Sequence, residues 1–135
     1  MKHLKLLILS FSVYFLVSCS SPIKETIGGS DKYSEDDIRS AMSVVKKDYN
    51  NFVKIAKPIS LTFSNSNSEL IERTFLPTLS SYKSQKHEDI IVLNSDIKTN
   101  LFSGSLSPLT TYSNFYWILK RNGSNWTIIY GNFLN

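Results

Sequence analysis

The chain has 135 residues, 41% of them hydrophobic and 19% charged, a balance that suits one globular domain and excludes a disordered or low-complexity polymer. Of its 15 Lys+Arg, Lys2 and Lys5 stand at the extreme N-terminus; from Cys19 onward 13 face 11 Asp+Glu, a net charge of +2 with interleaved signs, which argues against a nucleic-acid partner. A single cysteine excludes an internal disulfide, and with His87 the one histidine beyond the leader no metal-ligand spacing exists, so no metal or other cofactor is expected.

Residues 1–18 have the parts of a secretory leader. Lys2, His3 and Lys5 form a basic start, and Leu6 to Val17 is an apolar run broken only by Ser10 and Ser12. That run falls short of the ~20 apolar residues that span a bilayer and fits a signal peptide instead. It ends in Leu16-Val17-Ser18-Cys19, which resembles the bacterial lipobox, an aliphatic residue and two small or short ones before the cysteine. The resemblance implies a bacterial lipoprotein, acylated on Cys19 and cleaved before it. Multiple acyl chains anchor a protein stably because each buried CH₂ contributes about 0.8 kcal/mol. Ser20 is not the aspartate that retains many such proteins in the inner membrane. The expected place is therefore the cell envelope: the outer membrane of a Gram-negative cell, otherwise the outer face of the cell membrane.

Residues 19–32 are polar, with Ser20, Ser21, Pro22, Gly28, Gly29 and Ser30, and read as a flexible tether that holds the domain off the bilayer. The domain is expected over 33–135. Ser34 is a natural N-cap, with Asp37 placed for a capping box and Glu35, Asp36 and Asp37 crowding the first turn. Ile38, Ala41, Met42, Val45, Tyr49, Phe52, Val53 and Ala56 recur at spacings of three and four, which predicts one apolar face of a long helix ended by Pro58. Ile59, Leu61 and Phe63 alternate with Ser60 and Thr62 and predict a short strand. A second helix is expected from Glu69 to about Leu76, with Leu70, Ile71 and Phe75 inward and Pro77 at its end. Ile90-Ile91-Val92-Leu93 and Ile97 predict a strand, and Thr99 to Thr111, with Gly104 and Pro108, a mobile loop. Tyr112–Arg121 and Trp126–Asn132 flank Asn122-Gly123 and predict a hairpin. Trp117, Leu119 and Phe115 are assigned to one face and Tyr116, Ile118 and Lys120 to the other, with Trp126, Ile128 and Tyr130 alternating to match.

The expected architecture is α+β, a long N-terminal helix packed on a curved antiparallel sheet of about four strands, in two layers. Tyr33-Ser34-Glu35-Asp36-Asp37-Ile38, Ile91-Val92-Leu93, Tyr112 through Arg121, Trp126 and Gly131 together resemble the cystatin-like or nuclear-transport-factor-2-like superfold. More narrowly, they resemble small secreted or lipid-anchored bacterial proteins of that shape. The sequence departs from that pattern in lacking a longer glycine-rich loop before the hairpin.

Some members of the wider superfold are isomerases or dehydratases with a carboxylate or histidine in the cone between helix and sheet. On that resemblance the catalytic candidates are Asp96 and His87, with Tyr112 and Tyr116 beside them. No nucleophile elbow or phosphate-binding glycine loop is present. The preferred reading is a non-catalytic envelope module, held to the membrane by Cys19 and binding an envelope protein or peptide, with Phe115, Tyr116 and Tyr130 as the candidate contact residues; the alternative is a small-molecule-binding domain or an isomerase- or dehydratase-type enzyme with a pocket between helix and sheet.

Overall fold

The first helix starts where its sequence places it. Ser34 is the N-cap; its Oγ accepts from the Asp37 N–H at 3.1 Å while the Ser34 N–H donates back to Asp37 Oδ2 at 3.3 Å, so the capping box is complete. The computed structural model describes residues 21–80, 82 and 89–134. The expected leader over 1–18, Cys19 and His87 therefore lie outside the described residues.

The elements in order are β1 (Lys24–Ile27), α1 (Glu35–Asp48), a 3-10 turn (Tyr49–Asn51), β2 (Ala56–Pro58), β3 (Ser60–Phe63), α2 (Asn65–Thr74), a 3-10 turn (Leu76–Thr78), β4 (Ile90–Thr99), β5 (Thr111–Asn122) and β6 (Asn125–Phe133). The fold is α+β. Its six-stranded sheet runs β1-β3-β4-β5-β6, with β2 pairing the far end of β4. Only β1 joins in parallel, on β3; the other ladders are antiparallel.

Four expectations need correction. First, α1 stops at Asp48, not near Ala56. Asp48, Asn50 and Asn51 compete for backbone hydrogen bonds and favour a turn. Val53 and Ala56 still reach the core, but from a loop and from β2, where Ala56-Lys57-Pro58 pair with Thr99-Lys98-Ile97. Apolar spacing alone does not separate these routes to one core.

Second, the sheet is six-stranded and mixed rather than a four-stranded antiparallel one. Part of the supposed tether is a strand: Lys24–Ile27 register with Ser60–Phe63, so only residues 20–23 lie between Cys19 and the sheet. Its polar alternation, Lys-Glu-Thr-Ile, suits a short edge strand and disguises it as linker.

Third, the sheet is covered on both faces. One core joins Ile38, Ala41, Met42 and Val45 of α1 to Leu61, Phe63, Ile91, Leu93, Trp117, Leu119 and Ile128. A second, smaller core joins Ile71 and Leu76 to Ile90, Val92 and Ile118, with Phe75, Tyr116 and Tyr130 at its margin. Helix α2 begins earlier than expected, after Ser64, and Leu70 points outward.

Fourth, the hairpin alternation holds only in part. Asn122 pairs Asn125 across Gly123-Ser124, and Gly123 has φ +63°, which a glycine adopts without a Cβ clash. Phe115, Trp117 and Leu119 face α1 and Tyr116 and Ile118 face away, as expected. In β6 a bulge intervenes: Ile118 faces Tyr130 while Leu119 faces Ile128, leaving Ile129 extra. Trp126 and Ile128 therefore join the α1 core, but Tyr130 moves to the opposite face. A second bulge sets Ser113 and Asn114 against Asp96, with Asn114 at φ +62°.

Candidate functional site

The cone between α1 and the sheet is filled with side chains. Trp117 is 0% exposed there, packed edge-on against Phe52 and tilted against Phe115. A Cβ on Gly131 would stand 2.8 Å from the Trp117 ring, so the glycine lets the indole approach the hairpin backbone closely.

The catalytic candidates do not converge. Asp96 is half-buried on β4 opposite the bulge of β5, where its backbone is tied down: its N–H donates to Ser60 Oγ at 2.9 Å and its C=O accepts from Ile59 N–H at 2.9 Å. Tyr112 has a structural task. Its Oη accepts from the Ser107 N–H at 2.9 Å and its ring meets Phe133 edge-on, fastening the 100–110 loop to the sheet. Tyr116 lies at the margin of the second core. Among the described residues no group of three or more His, Cys, Asp or Glu side chains is placed to hold a metal ion.

The candidate contact residues are also redistributed. Phe115 is 3% exposed, wedged between Trp117 and Phe133, and reaches the surface only as part of a groove wall. Tyr130 packs edge-on against Phe75 at 5.0 Å and donates its hydroxyl to the Phe133 carbonyl at 2.7 Å; burial pushes its pKa up. The reason is core demand: a domain of this size without disulfides places its aromatics inside.

Among the described residues two surfaces are left open instead. The first is the outer edge of β6. This strand ends the sheet order, spans Asn125–Phe133 and contains no charged residue and no proline. Natural edges are usually blunted by lysine, proline or extreme shortness. The opposite edge, β1, is four residues long and carries Lys24 and Glu25. Beside the end of β6 a groove of about 280 Å³ is lined by Phe52, Ile55, Ile97, Leu106, Phe115 and Phe133, among others.

The second is the loop end of the sheet. Leu101, Phe102 and Leu109 project from the 100–110 loop, Phe102 with 86% of its surface exposed. Sequence reasoning passed over them, although a Leu-Phe pair inside a stretch of Ser, Thr and Gly was the available signal. The loop is hydrogen-bonded to the sheet at its base. The buried Thr99 hydroxyl donates to the Ser107 carbonyl at 2.6 Å and accepts from the Thr110 N–H at 2.8 Å. The Asn100 N–H donates to Ile55 C=O at 2.8 Å.

At the opposite end charges are matched. Arg121 Nη2 donates to Asp37 Oδ1 at 3.0 Å, its Nε stands 2.7 Å from Asp89 Oδ2, and its guanidinium lies 4.5 Å above the Trp126 ring. The hydrogen bond from Ser34, and then that from Arg121, hold the Asp37 carboxyl below its ordinary pKa. No helix among the described residues is long and apolar enough to cross a membrane. Comparison with protein-family models, with curated proteins and with solved structures found no match to this chain.

Proposed function

We propose that this chain is a lipid-anchored bacterial envelope protein, acylated on Cys19, whose domain is a non-catalytic module that binds an extended segment of an envelope protein or peptide along β6. The observation that carries the binding half is that uncharged, proline-free edge strand. Strand addition uses main-chain hydrogen bonds for affinity and neighbouring pockets for specificity, and the groove beside Phe133 is such a pocket. The filled cone and the scattered positions of Asp96, Tyr112 and Tyr116 favour this reading over an isomerase or dehydratase. The anchoring half rests on the leader and on Leu16-Val17-Ser18-Cys19. We further read α1 lying across β4 and β6 as a cystatin-like core, to which α2 and the parallel β1 are additions.

Anchoring is tested by intact mass and detergent partitioning: Cys19→Ala should abolish both acylation and retention in the detergent phase, and an acylated variant refutes it. Binding is tested by capturing partners from detergent-solubilised envelope with the mature protein and with a Thr127→Lys/Asn132→Lys variant. Both positions are exposed on β6, and lysine is a natural edge blocker. A partner lost on the double substitution supports strand addition; one retained undiminished refutes it.

A further inference from the structure

We infer that the 100–110 loop is a membrane-docking element: Leu101, Phe102 and Leu109 enter the interfacial region of an anionic bilayer while Lys54, Lys57 and Lys98 meet its headgroups. The inference rests on acylation at Cys19 and adds an orientation that the anchor alone does not impose.

Geometry supplies the first argument. Ser21 and Pro22 line one cavity of about 540 Å³ together with Lys57, Lys98 and Thr111. Two residues reach at most about 7 Å, so an acylated Cys19 holds this end of the domain at the bilayer. Lys98 pairs Thr111 at the mouth of the 100–110 loop, so the loop leaves the sheet at that same end.

The second argument is the mismatch of the exposed groups with water. Leu101 and Leu109 are each 61% exposed, and Leu109 is held at φ +52°, a conformation a leucine rarely adopts. The loop around these side chains is tied down by the Thr99 bonds, by Ser107 N–H to Tyr112 Oη and by Leu109 N–H to the Asn100 carbonyl at 3.3 Å, so the apolar tips project from a hydrogen-bonded frame.

The third argument is charge. Lys57 and Lys98 are direct cross-strand partners on the solvent side, a like-charge placement that weakens a sheet. Lys54 is also exposed, and its carbonyl accepts from the Asn100 side chain at the base of the loop. None of the three forms an ion pair among the described residues, and neither Asp48 nor Asp96 answers them. Lysines beside apolar side chains at an anchored end match a negatively charged lipid surface.

The test is a reporter at the tip. Trp117 and Trp126 are buried, so a Phe102→Trp variant adds one exposed indole at a site where the change costs the fold little. The mature variant is reconstituted in vesicles of phosphatidylcholine and phosphatidylglycerol. Docking to the interfacial depth of about 5–10 Å predicts blue-shifted emission from the introduced indole, quenched by brominated acyl chains and shielded from iodide. Replacing Lys57 and Lys98 with Gln should lower the ratio of docked to undocked protein about fivefold per lysine in anionic vesicles. A red-shifted, iodide-accessible reporter on protein that floats with the vesicles overturns docking while leaving the anchor intact. Shielding that arises only after envelope proteins are added overturns it in favour of a protein partner. A mature chain whose intact mass lacks acyl groups refutes the anchor instead; the same vesicles with that chain then decide docking by the same quenching.

Discussion

The two ends of the sheet are built on opposite principles. Where α1 begins, Asp37 is bound by Ser34 and Arg121, and Arg121 in turn is flanked by Asp89 and the Trp126 ring. Tyr33 closes that end, its hydroxyl donating to the Ile90 carbonyl at 2.7 Å and its ring edge-on to Trp126. At the loop end Lys57 faces Lys98, and Leu101, Phe102 and Leu109 meet water. The matched end stabilises the domain from within. The loop end holds exposed apolar side chains and lysines with no ion pair among the described residues, the groups on which the docking proposal rests.

Substitutions should break or sharpen that contrast. Trp126→Ala should have the largest effect, a loss of about 3–5 kcal/mol in urea unfolding, since it removes a buried ring and the platform under Arg121. A loss no greater than that of Phe102→Ser would erase the distinction between the ends. Gly131→Ala, between the two ends, should cost about 1–3 kcal/mol because its methyl meets the Trp117 ring. Ser34→Ala should cost about 1 kcal/mol by opening the N-cap, read as a lower thermal midpoint with unchanged helix content in the folded baseline.

A pH series refines the same point. The folded pKa of Asp37 is depressed, so its pairing contributes fully above the ordinary value of 3.8 and is lost as pH falls below it through the folded pKa. Arg121→Gln should therefore destabilise at neutral pH, and its gap from the parent should narrow in acid; a gap independent of pH would sink this account. The smallest effect belongs to the loop end. Leu101→Ser and Phe102→Ser should leave stability within about 0.5 kcal/mol, since surface side chains without folded partners contribute little. A larger loss would mean that the loop serves the fold rather than a docking surface.

Much of this contrast lay outside what residue patterns reveal. Asp37 was legible as a cap, but its second partner, Arg121, comes from β5, far along the chain. Phe115 and Tyr130 looked like surface anchors because aromatics on a hairpin face both ways; packing against Trp117, Phe133 and Phe75 turned them inward. The attachments of the 100–110 loop left no local signal, because its bonds run from Thr99 and Tyr112 to backbone groups whose proximity no local motif encodes.

What the sequence determined by itself are features held by neighbours in the chain: the start of α1 at its capping box, the Asn122–Asn125 turn, and the alternation of Phe115 through Leu119. Each depends on bonds or side-chain directions set within a few residues, so the pattern suffices. The leader and the acylation of Cys19 are proposals that rest on consecutive residues alone. Tertiary structure decided where α1 ends, that Lys24–Ile27 is a strand, that α2 covers the second face, and which apolar side chains stay outside. These outcomes depend on hydrogen bonds and packing supplied by distant segments: β3 for the first strand, β4 for Ala56–Pro58, and the Ile90, Val92 and Ile118 face for α2. Residues such as Lys24 or Val53 are compatible with several local structures, and the partner strand or core selects among them.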